Sequence, residues 1–321
     1  MSPPRSDLTS VTPTSVGLKP ADTEQSGIRR RKRGKGWQFL NSSGTTVPPR
    51  VADRCRSLAI PPAWQDVWIA TSAKAHIQAF GQDEAGRRQY IYHPDWQHAR
   101  ETAKFDSLLD FARALPRIRK QVRECLTSSE CEQSLAICTV VGLLDEGSLR
   151  IGSRRYFERA GTVGATTLSR EHIKLSSDHL ELDFPAKGGK QRHVEIDDSD
   201  LIEAVQHFLS DNPSAAAPLI QVSAGQVNDF LQDVAGHRYT AKHFRTWNGS
   251  VAASEAIFRS DGGTSIKAAA DCLGNTPAIS RKSYIHPTIL DHVSAPPDPF
   301  PAGGPTRLRA AERRCFGLIS A

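Results

Sequence analysis

The first third of the chain alternates hydrophobic and polar residues over short runs, which is the pattern of half-buried β-strands. These runs lie at residues 37–40, 67–70, 75–79 and 88–92. Turn-forming residues at 41–44 and 81–86 separate them, and a short helix is predicted at 51–58, before two prolines. This pattern predicts a small β-rich domain.

From about Ala103 the hydrophobic residues recur at helical spacing instead, beginning with Phe105, Leu108 and Leu109. Further helices are predicted at 135–144, 199–209, 226–234 and from Thr240 to about Phe258. Three short strands interrupt them at 172–175, 179–184 and 191–196. The second part of the chain is therefore predicted to be mainly α-helical with a small three-stranded antiparallel sheet, and the fold class is α+β.

The two ends of the chain differ in composition from the rest. Residues 1–33 are rich in Ser, Thr and Pro and end in basic residues, which predicts a disordered basic tail. The β-rich domain then covers 34–100 and the mainly helical domain 101–292. Residues 293–321 are predicted to form a poorly ordered tail that is rich in Pro and Gly.

Composition fits a globular chain of two domains, with 38% hydrophobic and 24% charged residues among 321. No apolar run approaches the length of a membrane span, and the N-terminus lacks the apolar stretch of a secretory signal. A cytoplasmic location without membrane contact is therefore predicted. The six cysteines form no CxxC pair and have no histidine nearby at zinc-ligand spacing, so reduced thiols are predicted and no metal site.

The formal charge of +6 comes from one short run. Residues 29–35 hold six cations and no acid, and outside them basic and acidic residues balance at 35 each. Three interpretations of this run remain open: a solvated tail, a targeting signal or an arm that binds DNA.

A tyrosine near the C-terminus of a short helix is the first candidate for chemistry. Thr276 and Pro277 suit the N-cap and first position of this helix, and Pro287 stops it soon after Tyr284. A tyrosine in such a place usually belongs to the core. A nucleophilic role becomes the better hypothesis because three cations in distinctive settings precede it.

Arg150 is the first of these cations and ends an apolar helix, where its planar guanidinium could donate two parallel hydrogen bonds to a phosphate. Lys187 is the second and lies in a hairpin turn with two glycines, which allow close approach to a ligand. Lys190 and Lys174 are the competing lysines in the same region.

Arg245 is the third cation and lies in the first turns of a helix that Thr240 caps, where the helix N-terminus attracts anions. Lys242 stands three residues before it. Asn275 stands nine residues before Tyr284, and its amide can donate a hydrogen bond but cannot titrate near pH 7.

These segments, together with the predicted strand in Gly86-Arg87-Arg88-Gln89-Tyr90-Ile91-Tyr92, resemble the type IB DNA topoisomerases of bacteria and poxviruses. The resemblance runs in order from about Trp37 to Pro287. It implies that Tyr284 is the nucleophile, that Arg150, Arg245 and Asn275 bind the scissile phosphate, and that Lys187 is the general acid. It also implies that Gln89, Tyr90, Tyr92 and the neighbouring Arg87 and Arg88, with Lys242, contact DNA.

The resemblance implies a monomeric enzyme that forms a clamp around double-stranded DNA. It would relax supercoils without ATP or any cofactor, through a 3′-phosphotyrosyl intermediate, strand rotation and religation. A tyrosine recombinase is the nearest alternative, but that family typically has a histidine where Lys242 stands. A catalytically silent DNA-binding protein is the other, and the intact set of Arg, Lys, Arg and Tyr argues against it.

Overall fold

The computed structural model describes residues 11–128, 130–211, 217–236, 239–259 and 262–321. The chain divides into two compact units, one ending at Ser107 and the other covering Leu108–Ala321. Within the described ranges no helix is both long enough and apolar enough to cross a membrane.

The first unit is built on a five-stranded antiparallel sheet with the strand order β2-β1-β3-β4-β5. Its elements are β1 (Ile28–Arg33), β2 (Gly36–Leu40), α1 (Pro49–Ser57), β3 (Gln65–Ile69), β4 (Ile77–Gln82) and β5 (Arg88–Tyr92). Alternate residues of the strands face α1 and form one core with Ala52 and Cys55. The predicted β-rich domain is confirmed.

The basic run is part of this sheet, so the prediction of a disordered tail is wrong for residues 28–33. Strand β1 pairs with both β2 and β3, and Ile28 is buried at its start. On the same face Arg30 stacks on Trp37 and donates to the carbonyls of Ile60 and Trp64. Strand pairing and these contacts stabilise β1, although its basic composition alone disfavours a β-strand. The prediction is also wrong at Leu18 and Lys19, since Leu18 is buried and the backbone of Lys19 bonds to Lys74 and His76. Residues 1–10 of the predicted tail lie outside the described residues.

The second unit is mainly helical with one small sheet, as predicted. Its sheet is antiparallel in the order β6-β7-β8, with β6 (Ile173–Leu175), β7 (Leu180–Pro185) and β8 (Gln191–Ile196). The helix α2 (Pro94–Ser128) leads into this unit from the first. The other helices are α3 (Glu132–Glu146), α4 (Arg154–Ala160), α5 (Ser199–Asp211), α6 (Ala224–Ala235), α7 (Ala241–Phe258), α8 (Ser265–Leu273), α9 (Pro277–Ser283), α10 (Pro287–Asp291) and α11 (Ala310–Ser320).

Helices α3 and α7 lie in the middle of the second unit. Leu144 of α3 and Phe244 and Trp247 of α7 are fully buried, and Phe111 of α2 packs edge-on against Phe244. Because α3 leads directly to Arg150 and α7 carries Arg245, the best-packed elements of the domain support both arginines.

The C-terminal residues are also ordered, contrary to the prediction for 293–321. Helix α11 packs on α7 and buries Cys315, Phe316 and Leu318. Glycines allow this packing, since a Cβ at Gly317 would lie 2.7 Å from the backbone of residues 301 and 302. The Pro- and Gly-rich segment before α11 is therefore closely packed against this helix.

Pro287 follows α9, as predicted, and is also the first residue of α10.

Candidate active site

Arg245 is held in the second turn of α7 and is almost completely buried. Its guanidinium donates to the backbone carbonyls of Ser148 and Leu273, the latter at 2.8 Å. These carbonyls precede Arg150 and Asn275 by two residues each, so Arg245 ties together the two segments that carry them. Its Nε is buried and has no hydrogen-bond partner among the described residues.

Asn275 connects the two predicted phosphate-binding arginines. Its Oδ1 accepts a hydrogen bond from Arg150 Nη2 at 2.5 Å and lies 3.4 Å from Arg245 Nη2. With Oδ1 occupied in this way, the amide nitrogen is left to donate. That nitrogen is buried and has no hydrogen-bond partner in the described part of the chain. The site therefore contains two buried donors, Arg245 Nε and Asn275 Nδ2, that have no acceptor in the described part of the chain.

The chain positions Asn275 by ending α8 with a left-handed residue. Gly274 has a φ of 58°, which glycine adopts without strain, and the N–H of Asn275 returns to the carbonyl of Ala270 at 2.9 Å. Arg150 depends on a similar close approach, because a Cβ at Gly164 would lie 2.6 Å from the Arg150 carbonyl oxygen.

Tyr284 lies at the C-cap of α9, which begins as predicted with Thr276 accepting from the N–H of Ile279. Its backbone rests on α7, where a Cβ at Gly249 would lie 3.1 Å from the Tyr284 carbonyl oxygen. Ser250 Oγ donates to that carbonyl at 3.2 Å and accepts from the backbone N–H of His286, the N-cap of α10, at 3.0 Å. The Arg245 guanidinium lies 5.3 Å from the centre of the Tyr284 ring. Helix α7 thus positions both the arginine and the tyrosine.

Burial lowers the pKa of both arginines at this site. Burial and the neighbouring charge of Arg150 lower the pKa of Arg245 to about 10, while interaction with Tyr284 opposes the shift. Burial likewise lowers the pKa of Arg150. At pH 7 both guanidinium groups remain charged, so the site is an unneutralised cluster of positive charge next to a phenol. Such a cluster favours a bound anion.

The hairpin between β7 and β8 carries the predicted lysine. Lys187 is exposed in a turn closed by Ala186 N–H to Lys190 carbonyl at 2.8 Å, and Gly188 and Gly189 have φ of 85° and 73°. Among the described residues no side-chain hydrogen bond joins Lys187 to Asn275. An open cleft separates the hairpin from Asn275. Its lining includes Lys190, Arg192, Asp271 and Asn275.

The predicted DNA contacts of the first unit separate onto two sides of the sheet. Tyr90 and Tyr92 stack on each other on the face opposite the core, with ring centres 5.8 Å apart. Arg88 lies on the same face, 3.8 Å above the ring of Phe80. Gln89 points the other way and donates to Asp83, to which Arg87 also binds.

Lys242 and His243 occupy different environments although they are adjacent. Lys242 is exposed on the first turn of α7. His243 is buried, packs on Phe111 and Tyr239, and its Nδ1 accepts from the N–H of Thr240 at 3.0 Å. Lys242 is therefore the residue of this pair that a ligand can reach.

Sequence reasoning missed the residues that hold the site together. The segments that carry Arg150, Asn275 and Tyr284 are held by hydrogen bonds to their backbone. The residues that take part in these bonds are Ser148, whose carbonyl accepts, and Asn248, Ser250 and Arg192, whose side chains donate. Of these, only Arg192 had a detectable signal in the sequence, since a cation occupies an inward position of the alternating strand β8.

In the described ranges no group of three or more His, Cys, Asp or Glu side chains could hold a metal ion.

Two family models match the chain, in the order of its two units. A model described as the catalytic core of eukaryotic DNA topoisomerase I matches residues 93–276, more than half of the chain. It spans Arg150, Lys187, Arg245 and Asn275 and ends before Tyr284. A model of the N-terminal domain of bacterial DNA topoisomerase IB matches residues 36–83. The chain belongs to the type IB DNA topoisomerase family.

Viral enzymes resemble this topoisomerase over most of its length. DNA topoisomerase 1B of Acanthamoeba polyphaga mimivirus is 24% identical over 300 residues, which are 85% of this chain and 89% of the relative. DNA topoisomerase 1B of Vaccinia virus (strain Copenhagen) is 22% identical over 223 residues, 66% of this chain and 71% of the relative. A solved XerH site-specific recombinase bound to difH substrate aligns at 14% identity, with a TM-score of 0.35, over 50% of this chain and 47% of that one.

As a type IB topoisomerase, the protein relaxes supercoiled double-stranded DNA without ATP. One strand is cleaved through a 3′-phosphotyrosyl intermediate, rotates and is religated. The expected function is confirmed.

Proposed function

We propose that Tyr284 attacks the scissile phosphodiester and carries the 3′ phosphate covalently. Tyrosine can form such an intermediate, which splits strand transfer into two reversible steps. The bond energy stays in the phosphotyrosine, so religation by the free 5′ hydroxyl needs no ATP. The position of Tyr284 beside Arg245, with its backbone fixed on α7, supports this role.

Arg150, Arg245 and Asn275 stabilise the nonbridging oxygens of that phosphate. The observation that carries this proposal is the pair of unpartnered buried donors, Arg245 Nε and Asn275 Nδ2. A buried donor without a partner costs about 1–3 kcal/mol, so a folded protein retains two of them together where a ligand completes them. Donors fixed before the reaction stabilise the developing charge without reorganisation.

A lysine of the β7–β8 hairpin protonates the leaving 5′ oxygen. Lys187 is the proposed acid because it lies on the exposed turn, where the two left-handed glycines permit close approach to DNA. Lys190 remains the alternative because it lines the cleft that Asn275 also lines. Comparison of Lys187→Ala with Lys190→Ala on the same substrate separates the two.

The outer face of the first unit's sheet contacts the DNA duplex through Tyr90, Tyr92 and Arg88, and Lys242 contacts it from α7. Arg87 of the β4–β5 turn and Gln89 of β5, both bound to Asp83, are proposed to contact DNA from the edge of the sheet at this turn. We further propose that the enzyme acts as a monomer at the nucleoid of a bacterial cytoplasm. The match of residues 36–83 to the bacterial form of the domain supports that source.

Relaxation of supercoiled plasmid in EDTA without ATP tests the activity and the residue assignments together. The wild type should relax the plasmid, and Tyr284→Phe should leave it supercoiled although it still binds. Formation of recombinant joints between two duplexes would favour the recombinase alternative. Absence of relaxation by the wild type would contradict the proposal.

A further inference from the structure

Arg192 is a buried cation on the inward face of strand β8, where Val194 and Ile196 are the other inward residues. Burial lowers its pKa. A charge in such a place is costly unless its donors are occupied. Here they are occupied by backbone carbonyls, and the identity of those carbonyls indicates what the residue does.

The Arg192 guanidinium donates to three carbonyl oxygens at the ends of two helices. Nη2 binds Gly147 at 3.1 Å and Cys272 at 2.6 Å, and Nη1 binds Asp271 at 3.0 Å. Gly147 is the C-cap of α3, and the other two belong to the last turn of α8. The last carbonyls of a helix have no partner within it and carry its negative dipole end, so a cation satisfies both needs.

These helix ends lead directly to the phosphate-binding residues. Arg150 follows three residues after Gly147, and Asn275 follows three residues after Cys272. Gly274 leaves the space that Arg192 occupies, because a Cβ there would lie 2.8 Å from the arginine's Cδ and Nη1.

Arg192 also lies at the base of the hairpin that carries the lysines. It pairs in register with Phe184 across the two strands, five residues after Lys187. At the two glycines of the hairpin tip, a Cβ at Gly188 or Gly189 would meet no atom within 4 Å among the described residues. The position of the tip therefore depends on anchors at its base, and Arg192 connects that base to the phosphate-binding segments.

We propose that Arg192 is a positioning residue that holds the lysine hairpin in register with Arg150 and Asn275, so that the general acid meets the leaving oxygen. Arg192 itself does not touch DNA. This inference rests on the proposed role of the hairpin lysine as general acid. Arg245 also binds the segments of Arg150 and Asn275, through the carbonyls of Ser148 and Leu273, whereas Arg192 connects them to the hairpin. The proposal therefore predicts a defect in the step in which the acid acts.

Single-turnover cleavage on two substrates tests the proposal. One is ordinary duplex DNA, and the other carries sulfur at the bridging 5′ position, which leaves as a thiolate and needs no acid. Arg192→Met should slow cleavage of ordinary DNA by about 10-fold or more, but by no more than the roughly 10²–10⁴-fold that general acid catalysis contributes. On the sulfur substrate its rate should come within about threefold of wild type, since the acid is not needed there.

Two further variants make the result interpretable. Arg192→Lys keeps the charge but reaches fewer carbonyls, so it should show a smaller defect with the same substrate selectivity; it decides the matter if Arg192→Met does not fold. Arg170→Met is the matched control, because Arg170 also donates to a carbonyl, that of Leu209, but is exposed and outside the site. It should cleave both substrates at the wild-type rate.

An equal loss on both substrates, or no loss on either, would overturn the positioning role of Arg192. The acid assignment is read independently from Lys187→Ala and Lys190→Ala. If neither lysine variant recovers on the sulfur substrate, the general acid role of the hairpin fails, and the role of Arg192 in placing it fails too. Recovery of a lysine variant without recovery of Arg192→Met overturns only the latter.

Discussion

At the residue scale, the site consists of side chains that hydrogen bonds inside the protein hold in place and that still have N–H groups without a partner in the described chain. Arg245 and Asn275 each use some hydrogen-bonding groups to hold the neighbouring backbone or side chain, and each keeps one buried donor without a partner in the described chain. Their geometry is therefore set before DNA binds. This arrangement makes the contribution of each residue measurable by single substitutions.

Removing the Tyr284 hydroxyl should abolish the covalent intermediate and leave DNA affinity close to wild type. Tyr284→Phe keeps the ring beside Arg245 and the backbone contacts to Ser250, so the fold should be unchanged. Denaturing gel electrophoresis of protein trapped on labelled DNA measures the adduct. Adduct in this variant would assign the nucleophile elsewhere. Tyr239 is a poor substitute, because it is buried against Phe111.

Asn275→Ala should lower the single-turnover cleavage rate by about 10²–10³, the usual cost of losing one preorganised donor. Asn275→His should retain much of the rate because imidazole can also donate. Asn275→Gly is the discriminating variant, since glycine suits a turn and donates nothing. Full cleavage by Asn275→Gly, with circular dichroism unchanged, would reduce Asn275 to a turn residue.

At the scale of elements, strand β1 places the arginines of the basic run on the two faces of the sheet. Arg30 faces the core and binds backbone carbonyls, whereas Arg29 and Arg31 are exposed on the other face. Arg29 is in register with Trp68, and Trp68 stacks on Phe80 with ring centres 5.2 Å apart. This row continues across the sheet to the two tyrosines of β5, so the arginines extend the proposed DNA-binding face.

Neutralising the outer pair, Arg29→Gln with Arg31→Gln, should weaken DNA binding and reduce the slope of log affinity against log salt by about 2, since each phosphate contact contributes about 0.9. The matched control is Arg50→Gln with Arg56→Gln on α1, which lies on the opposite side of the same sheet. Equal slopes in the two double variants would remove β1 from the DNA interface. Cleavage at saturating enzyme should be unchanged in both.

At the scale of the whole second unit, a buried ion cluster joins the C-terminal helix α11 to α2 and α3. Arg119 of α2 forms paired hydrogen bonds with Asp145 of α3 and with Glu312 of α11, all between 2.7 and 3.0 Å. Trp247 of α7, two residues after Arg245, donates to Glu312 at 3.2 Å. The residues after Tyr284 thereby stabilise the helix that carries Arg245.

The cluster should make stability fall in acid. Burial by itself would raise the pKa of Glu312, but the hydrogen bonds and charge of Arg119 outweigh it and the pKa is lowered. A lowered pKa gives stability that is present above the unfolded-state pKa, about 4.3, and that is lost as the pH falls through the folded-state pKa. The free energy of unfolding should therefore decrease below about pH 4.3, and Glu312→Gln should flatten that decrease.

Glu312→Ala should destabilise the unit by about 3–5 kcal/mol, the cost of leaving a buried ion pair incomplete. Chemical denaturation at pH 7 measures it, and Glu158→Ala is the control because Glu158 pairs with Arg154 on the exposed face of α4. If both variants unfold at the same denaturant concentration, the buried cluster contributes nothing beyond a surface ion pair.

The sequence alone determined most elements, because each has a local cause. Alternation predicted the strands β2 to β5, β7 and β8. Helical spacing with the Thr240 cap predicted α7, and Thr276 with Pro277 predicted α9. Chemically distinctive residues in family-like settings marked Tyr284, Arg150, Arg245 and Asn275. A local pattern can show these features because hydrogen bonding and side-chain direction repeat over a few residues.

Only the tertiary structure decided which residues hold the site in place. The burial of Arg192 and the carbonyls it binds join β8 to the ends of α3 and α8, and no local pattern contains that information. The same holds for the basic run and for α11, which composition alone indicates to be tails. Both are ordered by partners distant in sequence: β3 pairs with the run, and Arg119 binds Glu312 of α11. Conformational entropy opposes ordering such segments, and only long-range contacts overcome it.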